Sequence, residues 1–149
     1  MHSVTADDVE QLITSARELI RPHRVGDRLF GDVAAVLLTD AGNSFGGVCI
    51  DTASGTGFCA EHSAIAAMVT AGEYRIAAIA AVWQDEQRQL YVLPPCGRCR
   101  ELIRQVDPGN LDTVVVLGHR RQTLLRDLLP EHEWPQPQQN LSPPPNRGT

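Results

Sequence analysis

Two short blocks of this sequence hold metal-ligating and proton-moving side chains at the spacing of a hydrolytic centre. They are CAEHSA, with Cys59 and Glu61, and PPCGRCRE, with Cys96 and Cys99. Three cysteine sulfurs hold a zinc ion and leave its fourth tetrahedral position open for water. Glu61 sits two residues from a ligand without being one, where a carboxylate can take and return protons. Zinc with three thiolates has a net negative formal charge, which weakens its pull on water, so something cationic should compensate. Arg98, between the paired cysteines, is expected to donate to a thiolate sulfur, and His62 is its rival for that task. The competing reading is a closed zinc knuckle, with Cys49 or His62 in the fourth position and no water bound. A lone C-x-x-C would be weak evidence against the knuckle. C-A-E before one helix and P-C-x-x-C before another supply metal, proton shuttle and open position together. His23, His119 and His132 are isolated and read as surface groups.

The order of first ligand, acid/base Glu and P-C-x-x-C is similar to that of the cytidine deaminase family, in its short-subunit form with three cysteines. The resemblance runs from about Val33, through GVCIDTAS, CAEHSAIAA and PPCGRCRELI, to LLPEHEW. CGRC, and the lack of an Arg after the Glu, make the chain most similar within that family to the blasticidin S deaminases. The resemblance implies a zinc-dependent aminohydrolase with Zn2+ on Cys59, Cys96 and Cys99. Its substrate would be a small cytosine-type aminopyrimidine, a nucleoside or an analogue such as blasticidin S, with a free or modified nucleobase as the second reading. Glu61 would move protons from water to the ring nitrogen and then to the departing ammonia. The carbonyl of Pro94 would accept from the leaving amine, while Cys49, Asp51, Ala60 and Trp134 fall at substrate-contacting positions. Relatives that use cytidine carry Asn and Glu in GVNVE to hold ribose hydroxyls. Here GVCID puts Cys49 in place of an amide and Asp51, one methylene shorter, in place of the Glu. The resemblance further implies a homotetramer with sites near subunit contacts, and an aromatic, here Trp134, closing over the substrate.

Helices and strands must bring the two blocks together. Val9, Leu12, Ile13, Ala16, Leu19 and Ile20 mark the buried stripe of a helix over residues 5–20, capped by Thr5 or Ser3 and stopped by Pro22. VAAVLLT at residues 33–39 reads as a strand, DAGN as a turn, and residues 46–51 as the return strand of a hairpin. Helices follow from Cys59 to a stop at Gly72, and along CGRCRELIRQV after Pro94 and Pro95. Both blocks thus place sulfurs at helix starts, where the dipole favours thiolates. RIAAIAAVW reads as a strand buried on both faces, QLYVLPP returns toward the metal, DTVVVLG is the clearest strand, and LLRDLLP closes the domain as a helix. The alternation predicts an α/β fold, a three-layer α/β/α sandwich around a mixed sheet of about five strands. The last strand is expected to be truncated, because only HRRQT separates DTVVVLG from the final helix.

With 149 residues, 42% of them hydrophobic, the chain can bury one core, expected over residues 1–130. Residues 131–149 form a Pro- and Gln-rich tail in which Trp134 is expected to be ordered and the distal part disordered. A net charge of −5, with no face gathering Lys and Arg, argues against long nucleic acids as partners; HRRQTLLR reads as a short, solvated Arg turn. No apolar stretch approaches the length of about 20 residues that crosses a bilayer. The scattered cysteines, and an N-terminus without a basic and then apolar run, suggest a cytoplasmic protein with reduced thiols.

Overall fold

The computed structural model describes residues 2–139. Thr5 caps the first helix, α1 (Ala6–Leu19): its hydroxyl accepts from the Asp8 N–H at 3.1 Å, and the Asp8 carboxylate accepts from the Thr5 N–H at 2.8 Å. This reciprocal box satisfies donors that the first turn would otherwise leave unpaired. Val9, Leu12, Ile13 and Ala16 are buried on the stripe the spacing predicts. The segment RPHRVGDRLF then forms a small separate hairpin, β1 (His23–Val25) and β2 (Arg28–Phe30), turning at Gly26 with φ 62°. Three-residue strands outside a core carry no apolar alternation, and nothing in the sequence marked them.

The main sheet begins with β3 (Val33–Thr39), the span its pattern predicts, paired antiparallel to β4 (Ser44–Val48). The return strand ends before Cys49, earlier than expected, because the chain leaves the ladder there and Ile50 bridges to Phe58 instead. Central β5 (Ile76–Gln84) runs antiparallel to β3, and β6 (Leu90–Leu93) pairs antiparallel with its end. β7 (Val114–Gly118) is parallel to β5, and β8 (Arg121–Leu124) folds back on β7. The sheet is therefore mixed and has six strands, in the order β4-β3-β5-β7-β8 with β6 beside β5. The strand beyond the expected five or so is β8, the short last strand, whose RQTL had read as a solvated turn. Its side chains are mostly exposed, so backbone pairing rather than burial makes it a strand.

Strand parity sorts the core into two faces. Val36, Leu38, Ala78, Ala80 and Val82 meet α1 on one side. Leu37 and Ile79 meet α2 (Ala60–Thr70), α3 (Gly97–Val106) and the single turn α4 (Leu125–Leu128) on the other. This is the three-layer arrangement expected. A 3-10 turn at Pro108–Asp112 links α3 to β7, and its buried Asn110 accepts from the Ile76 N–H and donates to the Tyr74 and Ile103 carbonyls. Among the described residues no helix is long and apolar enough to cross a membrane. Residues 131–139 hold neither helix nor strand. The expected disorder of the distal tail concerns residues 140–149, which lie outside the described residues.

Candidate active site

Cys59 and Cys96 are the N-caps of α2 and α3, and both have extended backbones that turn the chain into its helix. Neither side chain caps its own helix, so both sulfurs remain available to face each other. Cys99 lies one turn into α3 and below Cys96, as helical spacing of three requires. The Cys59 and Cys96 Sγ atoms are 3.5 Å apart, as are those of Cys96 and Cys99, and all three lie within 4.8 Å of one another. Zn–S bonds of about 2.3 Å at tetrahedral angles place sulfurs roughly 3.7 to 3.8 Å apart. The three cysteines therefore fit a zinc ion.

Their protonation follows from their surroundings. Burial pushes the Cys59 and Cys99 thiols up, and the Glu61 carboxylate pushes in the same direction. For Cys96 burial also acts upward, but the Cys99 and Arg98 backbone N–H groups and the neighbouring thiols outweigh it, and its thiol is lowered. Glu61, in the first turn of α2, is 5% exposed, and its Oε2 lies 3.6 Å from Cys99 Sγ. Burial raises it above the ordinary carboxylate range.

The flanking basic side chains are arranged differently from expectation. Arg98 donates from its guanidinium to the Gly57 carbonyl at 3.2 Å, across the ASGTG loop. The contact to a cysteine sulfur falls to His62, whose Nδ1 is 3.5 Å from Cys99 Sγ. Arg98 is exposed and its stem is long enough to reach the loop, whereas His62 follows Glu61 into the first turn of α2, facing α3. Burial, and then the Arg98 charge, lower the His62 pKa, which favours a neutral ring.

These groups open onto a cavity of about 480 Å3. Cys59, Glu61, Cys96 and Arg98 line it, and so do Cys49, Asp51, Ala60 and Pro94, the expected substrate-contacting residues of the folded core. Trp134 does not: it is 84% exposed and absent from the cavity wall of its own chain. Neither Cys49 nor His62 joins the three sulfurs to complete a closed set of four ligands among the described residues. Cys49 belongs instead to a second group, with Asp32 and Asp51. Sequence reasoning missed Asp32 and Phe58, which also line the cavity. Both sit in short irregular stretches, and the one signal at Asp32 is its place immediately before a strand.

The family model for the cytidine and deoxycytidylate deaminase zinc-binding region matches residues 7–117. A blasticidin-S deaminase of Bacillus cereus is 33% identical over 103 residues, which covers 66% of this chain and 74% of that protein. Among solved structures, cytidine deaminase from Mycobacterium tuberculosis superposes with a TM-score of 0.66 at 30% identity, covering 83% of this chain and 95% of that one. For cytidine deaminase from Burkholderia pseudomallei the TM-score is 0.63 at 30% identity, with coverage of 82% and 96%.

Proposed function

The chain belongs to the cytidine and deoxycytidylate deaminase family, zinc-dependent hydrolases that release ammonia from cytosine-type substrates, and we propose that Glu61 and the residues around it perform that deamination on a small nucleoside analogue. One observation carries this reading: a buried carboxylate stands 3.6 Å from a cysteine sulfur in a set of three that fits zinc, all beside one cavity. Cys59, Cys96 and Cys99 would hold the ion. When bound, zinc supplies the positive charge that makes water a nucleophile near neutral pH.

The protein's own residues do the rest. Glu61 accepts a proton as water oxygen bonds to the amine-bearing ring carbon, and delivers it to the ring nitrogen. A second proton passes through the same carboxylate to the amine, the carbon–nitrogen bond breaks, and ammonia leaves with the ring carbonyl behind it. Its raised pKa brings Glu61 nearer to working pH, as a group that must both accept and donate requires. Pro94 lines the cavity, and its carbonyl is assigned to accept from the leaving amine, since proline keeps its acceptor. Glu61 is buried, which limits exchange of its proton with bulk water.

Cytidine is a mediocre substrate in this reading, and a cytosine analogue or a nucleoside of unusual sugar, with blasticidin S as a candidate, is turned over better. The Cys49 thiol is a weak donor turned toward carboxylates, 3.3 Å from Asp32 and 3.8 Å from Asp51, so it offers a ribose hydroxyl little. The fold acts as a homotetramer in a reducing cytoplasm that keeps its thiols free. Ammonia release from cytidine, deoxycytidine, cytosine and blasticidin S tests the substrate. A strong preference for cytidine would show that other residues hold the ribose, and zinc-loaded protein inert toward the whole panel would remove the deaminase assignment.

A further inference from the structure

The turn that leads into α3 is held by a side chain outside the set of sulfurs. Arg100, the residue after Cys99, is half-buried. Its guanidinium donates from Nε to the Pro95 carbonyl at 2.8 Å and from Nη1 to the Leu128 carbonyl at 3.0 Å. Among the described residues it forms no ion pair with a carboxylate, so its charge serves these two carbonyls. The far end of this bridge is fixed. Leu125, at the start of α4, is buried, and its N–H donates to the Thr113 carbonyl at 3.0 Å. Leu128 ends that single turn, where helix carbonyls lack partners of their own. In the next turn His132 Nδ1 donates to the Leu129 carbonyl at 2.9 Å, so the chain is also fastened where it leaves α4.

The near end bears on the site. The Pro95 carbonyl and the Cys96 nitrogen share one peptide plane, so holding that carbonyl orients the backbone of Cys96, which enters α3 extended at φ −67° and ψ 169°. On the other side, the Pro95 ring fixes the φ that relates its carbonyl to the peptide plane of the Pro94 carbonyl, and only ψ stays free. One hydrogen bond thus constrains both a metal-ligating residue and the carbonyl assigned to the leaving amine. The run cannot tie itself, because Pro94 and Pro95 have no N–H and the Cys96 side chain does not cap its helix. Arg100 itself is absent from the cavity wall. Taking the proposed deamination at this cavity as its premise, we propose that Arg100 is a positioning residue for that reaction: it ties the Pro94–Cys96 turn to the end of α4 and so sets both the Cys96 sulfur and the Pro94 carbonyl.

The experiment compares Arg100→Lys and Arg100→Gln with the unmodified protein. Each keeps a long polar side chain and loses the planar fork that reaches two carbonyls at once. Cobalt(II) is loaded in place of zinc, and its absorption bands report the geometry of the cysteine ligands; ammonia release from cytidine and blasticidin S by the zinc-loaded proteins gives kcat and KM. In both variants the cobalt bands should shift. The kcat should fall by roughly 10- to 100-fold with KM within about threefold of the parent, because the leaving amine is held in the transition state rather than on binding. A merely structural Arg100 would lower the denaturant midpoint and leave the spectrum and kcat of the folded protein unchanged. Cobalt bands or a kcat unchanged in either folded variant, or a loss confined to KM, overturns the inference. Failure of both variants to fold also overturns it, since Arg100 would then serve the fold alone. The underlying reading fails separately: ammonia release from no cytosine compound by the unmodified protein would remove the deaminase assignment, while the cobalt bands would still decide whether Arg100 sets the cysteine geometry.

Discussion

Glu61 is held where its charged form is least comfortable, and that position suits it to moving protons. A carboxylate 5% exposed beside three sulfurs is easier to protonate than a solvated one, yet no backbone requires it to ligate metal. Glu61→Gln should keep zinc content near that of the parent protein while ammonia release falls by about 10²–10⁴-fold, as metal analysis and turnover on the same sample will show. The neighbouring pair separates on geometry. His62 contacts Cys99 Sγ and Arg98 contacts a loop carbonyl, so His62→Ala should weaken zinc retention against a chelator more than Arg98→Ala does. The opposite ranking would show that the Arg98 guanidinium, and not the neutral His62 ring, supports the sulfurs. Cys49 gives a third test. Its thiol, pushed up to about 11 and 4% exposed, stays protonated below that pH and should resist alkylation at pH 8 in the folded protein. Rapid labelling of Cys49 under those conditions would mean that the thiol is ionised and open.

The pairing of α2 with β4 fixes where Cys59 and Glu61 lie relative to the rest of the cavity. Gly47 makes that approach possible: a Cβ there would lie 2.3 Å from Ser63 Cβ and 2.8 Å from the Ala64 nitrogen, so the helix would have to retreat. Ser63 adds a hydrogen bond from its hydroxyl to the Val48 carbonyl at 2.7 Å, tying the helix to the strand that leads into Cys49. Gly47→Ala should cost about 1–3 kcal/mol in denaturant unfolding and lower zinc occupancy, since overpacking here displaces the start of α2. If stability falls and zinc occupancy does not, the displacement is absorbed before it reaches the cysteines. Asn110 does the corresponding work for α3 and β5. Its buried amide satisfies one N–H and two carbonyls, and Asn110→Ala should destabilise by at least about 2 kcal/mol in the same assay.

Among the described residues Trp134 is 84% exposed, beyond the last helix of the core. Large aromatic surface in water is costly, and we propose that a neighbouring subunit of a homotetramer covers it. Sedimentation of the zinc-loaded protein should give a mass of four chains, and substrate should quench tryptophan fluorescence in a manner lost in Trp134→Ala. A monomer at working concentration, or quenching unchanged by the substitution, would leave Trp134 without this role. The net charge of −5 works against long-range attraction to a polyanion such as a nucleic acid.

Short-range chemistry made much of this protein legible before any coordinates. A cap, an apolar stripe and a buried run are each written within about twenty residues, and so α1, β3, β5 and β7 stood close to where their patterns put them. The family and the zinc chemistry were carried by CAEHSA and PPCGRCRE, because the metal-ligating sulfurs and the proton-moving carboxylate lie within those blocks, and the layered α/β fold by the alternation of strand and helix patterns. Features made by contacts between distant segments were not legible. β8 is a strand because β7 lies beside it, although its exposed RQTL shows no apolar alternation. His62 rather than Arg98 reaches the sulfur because α2 and α3 meet start to start, a relation between residues 37 apart in the chain. Asp32 enters the cavity because β3 and β4 pair in one register, and a shift of one residue would turn alternate side chains to the opposite face. Residue type and local spacing decide which groups are available for chemistry; the packing of remote segments decides which of them touch.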